Sequence, residues 1–310
     1  MKTLFKSVAI AASLASAATI FAQSSLYVCK KDGTFVEYAI SDVDSVTFTK
    51  PEMQGNQQPV VQEKTFFLKG DNVDVDGPCA YNWDEHNGPS GKGVLAYPKE
   101  LSNDPNVLHP VVIFCPGGGE TPNSQPTIPK RLASMGFVVY SEPSSWDGGD
   151  AKKAFDWLEN KNNDPNSRLY HKLNMERVAI CGHSQGGMEA QGCAKIDKRV
   201  ACLMLLNSGS FDEHSGSVGL TIPTGIITGH TDMAYDNAVG DFNYPSVTAP
   251  MWLGIKGNEG HGYGPWGGSN CCVAWIRWHL CGETQWEKEF LQNGGKFCNA
   301  NGWETKWRNW

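Results

Sequence analysis

The stretch RVAICGHSQGGMEAQG, residues 177–192, decides how this chain is read. An apolar run at 178–181 meets Gly182-His183-Ser184-Gln185-Gly186, and the residues beyond Gly187 have the composition of a helix. Gly-x-Ser-x-Gly between a strand and a helix is a strained turn that exposes a serine hydroxyl above a sheet edge. Its glycines are required because side chains there would collide with neighbouring backbone. The five residues alone recur by chance; the strand before and the helix after make the pattern specific. The competing reading is a glycine-rich turn with an inert serine. The helix start after Ser184 also offers free N–H groups to an anion.

A serine hydroxyl is a poor nucleophile until a base takes its proton. For this kind of turn the chain order is Ser, then acid, then His. IITGHTD places Asp232 just past a strand, and IKGNEGHGYG places His261 in the loop after the next strand. Both loops are expected to open on the same sheet edge as Ser184. Asp236 and Asp241 follow in the loop after Asp232 and stay open as acids; Asp212, after the preceding strand, is a rarer placement. His230 stands too close to Asp232 to receive its carboxylate. His183 is expected to point away into packing, and His279 reads as structural. The oxyanion donors are the N–H groups of Gln185 and, from the loop CPGGGE, Gly118. Glycines there, Gly119 included, let backbone approach a substrate closely.

Working outward, strand and helix signals alternate from residue 65 onward. HPVVIFCPGGG, FVVYSEP, RVAICGHS, VACLMLLNS, TGIITGHTD and PMWLGIKGNEGH read as buried strands. TIPKRLASMG, DAKKAFDWLENK (capped by Asp150), GGMEAQGCAK and NCCVAWIRWHLCG read as helices. Buried strands alternating with helices predict an α/β fold, a mostly parallel central sheet with helices on both faces.

Upstream, residues 1–22 have the layout of a signal peptide: Lys2 and Lys6, an apolar Ala/Ser-rich run, and Ala22 before a cleavage site. Residues 23–49 form a short β-rich segment, with Asp32-Gly33 as a hairpin turn between strands at 26–29 and 34–39 and a third strand at 46–49. Residues 50–64, rich in Gln, Asn and Pro, read as a linker, and 65–310 as the catalytic domain. The expected location is secreted, periplasmic or cell-surface, with no stable membrane span after signal cleavage.

A formal charge of −7, with no Lys/Arg cluster, argues against nucleic acid as a partner. Ten cysteines are present and no Cys-x-x-Cys pattern, so no metal site is expected. Cys115, Cys181 and Cys202 read as small buried hydrophobes. Cys281 and Cys298 flank a short segment and are the preferred disulfide pair.

These residues resemble the α/β-hydrolases, from about Gly88 to the C-terminus. The nearest likeness is to bacterial cutinases and polyester (PET) hydrolases, with dienelactone-hydrolase-like and lipase-like serine esterases close by. KRLASMGFVVY is similar to their helix–strand unit, VAICGHSQGG to their Gly-His-Ser-Met-Gly-Gly turn, TGHTD and GHGY to the positions of their acid and base. WEKEFL before Cys298 resembles their disulfide-closed tail. The resemblance implies nucleophile Ser184, acid Asp232, base His261, oxyanion groups at Gly118 and Gln185, an ester substrate and no cofactor. The chain departs from that pattern with Gln185 in place of Met and Gly118 in place of an aromatic. Where those enzymes carry a Trp after the strand that follows the nucleophile helix, it offers only Phe211. Trp146, Tyr263 and Trp266 are the substitutes for contacting substrate. Trp303, Trp307 and Trp310 read as packing a tail against the body.

The expected activity is a serine carboxylic-ester hydrolase acting through a Ser-His-Asp triad and an acyl-enzyme, on polyester or cutin-like material. The alternatives are a carbohydrate esterase releasing acetyl or feruloyl groups, a lipase, and a non-catalytic binding module on a hydrolase scaffold.

Overall fold

Val107–Cys115 and Leu173–His183 are neighbouring strands whose successive side chains point to opposite faces of one sheet, and along 108–115 and 178–183 both faces are dry. Val111, Ile113, Val178 and Ile180 enter one apolar cluster; Val112, Phe114, Ala179 and Cys181 enter the other. These strands, β6 and β8 in chain order, run parallel at the centre of the sheet. The computed structural model describes residues 25–29, 35–39, 65–211 and 214–310.

The chain divides into two units, Met1–Val61 and Gln62–Trp310. In the first, β1 (Ser25–Cys29) and β2 (Phe35–Ala39) pair antiparallel. The expected leader, the Asp32-Gly33 turn, the strand at 46–49 and the linker lie outside the described residues.

The second unit adds β3 (Thr65–Phe66), β4 (Tyr81–Asn87), β5 (Gly93–Pro98), β7 (Val138–Ser141), β9 (Val200–Leu206), β10 (Thr224–Thr228), β11 (Met251–Lys256) and β12 (Trp303–Arg308). The strand order is β12-β11-β10-β9-β8-β6-β7-β5-β4, with β3 against β6. Strands β6 to β11 are parallel apart from the flanking pairs: β4, β5 and β12 pair antiparallel at the edges. Helices α2 (Gly149–Asn163), α3 (Gln185–Ile196) and α4 (Tyr235–Asn243) cover one face; α1 (Thr127–Ser134) and α5 (Ser269–His279) cover the other. A short helix, α6 (Glu287–Leu291), precedes β12. This is the expected α/β-hydrolase architecture, and it sends the loops after β6 to β11 to one edge. No helix among the described residues is long and apolar enough to cross a membrane.

Two expectations are corrected. Asp150 does not cap α2: Gly148 precedes the helix and Asp150 lies in its first turn, bonded to Lys153. The cap comes from α3, where buried Glu189 accepts the N–H groups of Gly148 and Ala151 at 2.9 and 2.8 Å. A carboxylate at a helix N-terminus satisfies orphan donors and the local dipole together. The Cys281–Cys298 bridge is absent, all ten cysteines being free thiols. Cys298 is buried against Thr305, 3.4 Å from its hydroxyl, while Cys281 is half-buried against the cluster that contains Cys202.

Candidate active site

Ser184 follows β8 at the N-cap of α3, with φ 53° and ψ −121°, a conformation outside the regular regions for an L-residue. Its surroundings hold it there. The Ser184 N–H donates to Leu206 O at 3.0 Å, and its carbonyl accepts the Ser208 hydroxyl at 2.7 Å. A Cβ on Gly182 would lie 2.1 Å from Gly186 O; one on Gly186 would lie 2.2 Å from Cys115 O. These overlaps are the steric reason for the glycines around the serine.

His261, in the loop after β11, brings Nε2 to 2.9 Å from Ser184 Oγ and Nδ1 to 2.7 Å from Asp232 Oδ1. Asp232 follows β10 and its side chain is wholly buried. Burial works to raise its carboxyl. The bonds from His261, the Ala234 N–H, Asn207 and Thr228 outweigh burial and hold it below the ordinary carboxylate value. The carboxylate stays charged, accepts Nδ1–H, and leaves Nε2 free to take a proton from the serine. Asp241 lies elsewhere, bonded to Gln191 and Ser210; His230 pairs with Glu304. Asp212 lies outside the described residues.

Beside the serine, the Gln185 N–H heads α3 and the Gly118 N–H lies in the loop after β6; neither donates to another described residue. The Gln185 side chain folds over Gly118. Its amide nitrogen donates to Ser144 O at 3.2 Å, and a Cβ on Gly118 would lie 2.5 Å from its oxygen. An aromatic at 118 therefore has no room while Gln185 keeps this rotamer, so the two departures from the cutinase pattern are one packing fact. Gly119 has φ 76° and faces open space.

A cleft of about 50 Å³ opens over Ser184, lined among others by Met188, Phe211, Met233 and His261. That volume is too small to enclose a whole drug-sized ligand. Phe211, Met233 and Trp146 are each more than half exposed, and the Trp146 ring lies 6.3 Å from that of Phe211. Trp266 is exposed but does not line the cleft. Tyr263 packs inward against Trp303, at 5.9 Å, and is not part of the cleft lining.

Three polar residues make contacts here that no sequence motif specifies. Asn207 bonds both Asp232 and the base loop. His183 is buried, as expected, but it is not mere packing: Nε2 donates to His261 O at 2.8 Å and Nδ1 meets the Gln125 amide nitrogen at 2.8 Å. Gln125 in turn accepts the Gly117 N–H at 3.2 Å, which ties the loop after β6 to the loop after β11 through His183. Burial holds His183 below the ordinary imidazole value, so it stays neutral and keeps an acceptor for Gln125.

Among the described residues no group of His, Cys, Asp and Glu has the arrangement of a metal site. A model of one family, PETase, PET hydrolase-like, matches residues 76–298. A comparison with curated proteins gave no match.

Proposed function

The chain belongs to the PET hydrolase-like family of α/β-hydrolases, and from that premise we propose that it is a serine carboxylic-ester hydrolase of polyester or cutin-like material. The observation that carries the reading is the bonded row Ser184–His261–Asp232, at 2.9 and 2.7 Å, on the carboxyl edge of the sheet. Ser184 Oγ attacks the ester carbonyl as its proton passes to His261 Nε2. The oxyanion is held by the N–H groups of Gln185 and Gly118, each worth about 3 kcal/mol at the transition state. The C–O bond to the alcohol breaks, and the alcohol leaves with the proton from His261. Water then gives a proton to His261 and attacks the acyl-enzyme, returning Ser184 and the acid. Asp232 holds the imidazole tautomer throughout.

The open cleft and the exposed rim of Trp146, Phe211 and Met233 support a long apolar or aromatic substrate. A second reading, a carbohydrate esterase, is favoured by one feature: the amide of Gln185 lies over Gly118 where an aromatic is absent. The basic, then Ala-rich, start of the sequence supports export. The test is product analysis on polyester film, cutin and acetylated or feruloylated xylan, with p-nitrophenyl butyrate as a common reference. Soluble aromatic diacid esters from film support the first reading; release from xylan alone supports the second. Equal turnover of p-nitrophenyl butyrate by wild type and Ser184→Ala removes both.

A further inference from the structure

The structure assigns to Asn207 a positioning role: it fixes the carboxylate of Asp232 and both sides of the loop that carries His261. The inference rests on the Ser184–His261–Asp232 reading and adds a fourth residue that no motif marks.

Asn207 stands at the end of β9, fully buried, with φ 49°. Asn tolerates this left-handed conformation better than most side-chain-bearing residues. Its own N–H is tied to Ile227 O on β10 at 2.7 Å, so the side chain projects from an anchored point. Every hydrogen-bonding atom of the amide is used. Nδ2 donates to Asp232 Oδ2 at 2.6 Å and to Gly260 O at 3.2 Å; Oδ1 accepts the Gly264 N–H. Gly260 and Gly264 bracket His261. The bonds also fix which end of the amide is which. Turned over, the oxygen would face a carboxylate and a carbonyl, and the nitrogen would face an N–H.

The geometry explains a glycine as well. A Cβ on Gly264 would lie 2.6 Å from Asn207 Oδ1 and 2.8 Å from Leu206 Cβ, so the base loop closes this tightly only with glycine there. On the acid, Oδ1 receives His261 and the Ala234 N–H, while Oδ2 receives Thr228 and Asn207. Asn207 is the one donor of these that also bonds the loop of the base. It therefore sets the distance between acid and base, rather than merely satisfying the acid. An aspartate of the same shape cannot do this once ionised, because it has no proton to donate to Asp232.

The test compares Asn207→Asp and Asn207→Ala with wild type and Ser184→Ala. It measures kcat and KM on p-nitrophenyl butyrate from pH 5 to 9, with folding checked by circular dichroism. For Asn207→Ala we expect kcat to fall about 100-fold, the scale of a small misplacement of reacting groups, with KM within about two-fold. Its kcat ratio to wild type stays flat with pH. For Asn207→Asp the two adjoining carboxylates share one proton. Its kcat ratio to wild type therefore declines as pH rises and that proton is lost. If Asn207→Ala does not fold, the isosteric Asn207→Asp carries the test through the slope of its ratio. A pH-independent ratio for Asn207→Asp, or activity of either variant within about three-fold of wild type across the range, overturns the role of Asn207 while an inactive Ser184→Ala leaves the triad standing. An active Ser184→Ala overturns the triad and this inference with it.

Discussion

His261 and His279 stand on either side of the start of α5, and the fold treats them in opposite ways. Both ring nitrogens of His261 are engaged, one by a buried carboxylate and one by a serine hydroxyl. His279 is packed among indoles: its ring lies 4.0 Å from that of Trp278, 4.2 Å from Trp275 and 5.5 Å from Trp310. Its Nε2 has no hydrogen-bond partner among the described residues. Burial, aided by the charge of Arg177, lowers it to about 3. The difference teaches that an imidazole is poised to accept a proton where polar neighbours complete it, and packs as a flat apolar block where rings surround it. The region around His261 is built of directional bonds at an open edge. The region around His279, with Trp252, Trp275, Trp278 and Phe290, is built of packed aromatic rings, edge-on, tilted and stacked.

If that contrast holds, damage to the first region removes activity and spares the fold, and damage to the second does the reverse. The largest effect is expected from Asp232→Asn. The amide presents no charge and no fixed acceptor to Nδ1–H, so kcat falls about 10⁴-fold while the melting curve moves little. Ester turnover and thermal unfolding of the same preparation check it; a change in melting with kcat intact breaks the contrast. Next is Trp275→Ala. Trp275 is fully buried, and its loss is expected to cost about 3–5 kcal/mol of stability with kcat per folded molecule unchanged. Urea unfolding and active-site titration separate the two quantities.

The smallest effect sharpens the contrast through pH. Because folded His279 titrates near 3 against an ordinary 6.5, the unfolded chain binds a proton in that interval that the folded chain does not. The stability that neutral His279 contributes is complete above pH 6.5 and is lost as pH falls toward 3. Between pH 7 and pH 5 wild type is expected to lose about 2 kcal/mol more than His279→Phe, since each unit is worth about 1.4 kcal/mol. Parallel urea titrations at the two pH values read this directly, and identical pH slopes would show that His279 is not held neutral.

Much of the candidate site is legible in sequence because its constraints are local or ordered along the chain. Gly182 and Gly186 are forced by backbone overlap within a few residues or with one adjoining strand, and that leaves a motif. Asp232 and His261 follow from strand order, since the loops after successive parallel strands share an edge. Asn207, Gln125 and His183 are not legible in the same way. Their contacts join loops 25, 58 and 78 residues apart, and an Asn at a strand end has the same local appearance in any turn. The sheet was readable for the reason that both faces are buried, which leaves near-continuous apolar runs. The cap of α2 was not, because Glu189 reaches it from another helix and Asp150 offered a nearer acidic residue. The free state of Cys281 and Cys298 is not legible either, because closeness along the chain does not bring two thiols together. The aromatic ring of Tyr263 could not be told from the exposed ring of Trp146 until β12 placed Trp303 beside it.

In the proposed mechanism one hydroxyl, that of Ser184, is made nucleophilic by His261. Diethyl p-nitrophenyl phosphate reports this most directly, because it leaves a stable phosphoryl group on an activated serine. Peptide mapping by mass spectrometry should find a single diethylphosphoryl group per chain, on Ser184, with ester turnover lost in step and labelling abolished in His261→Ala. Full turnover with Ser184 unlabelled, or equal labelling of Ser184 in His261→Ala, would rule this activation out.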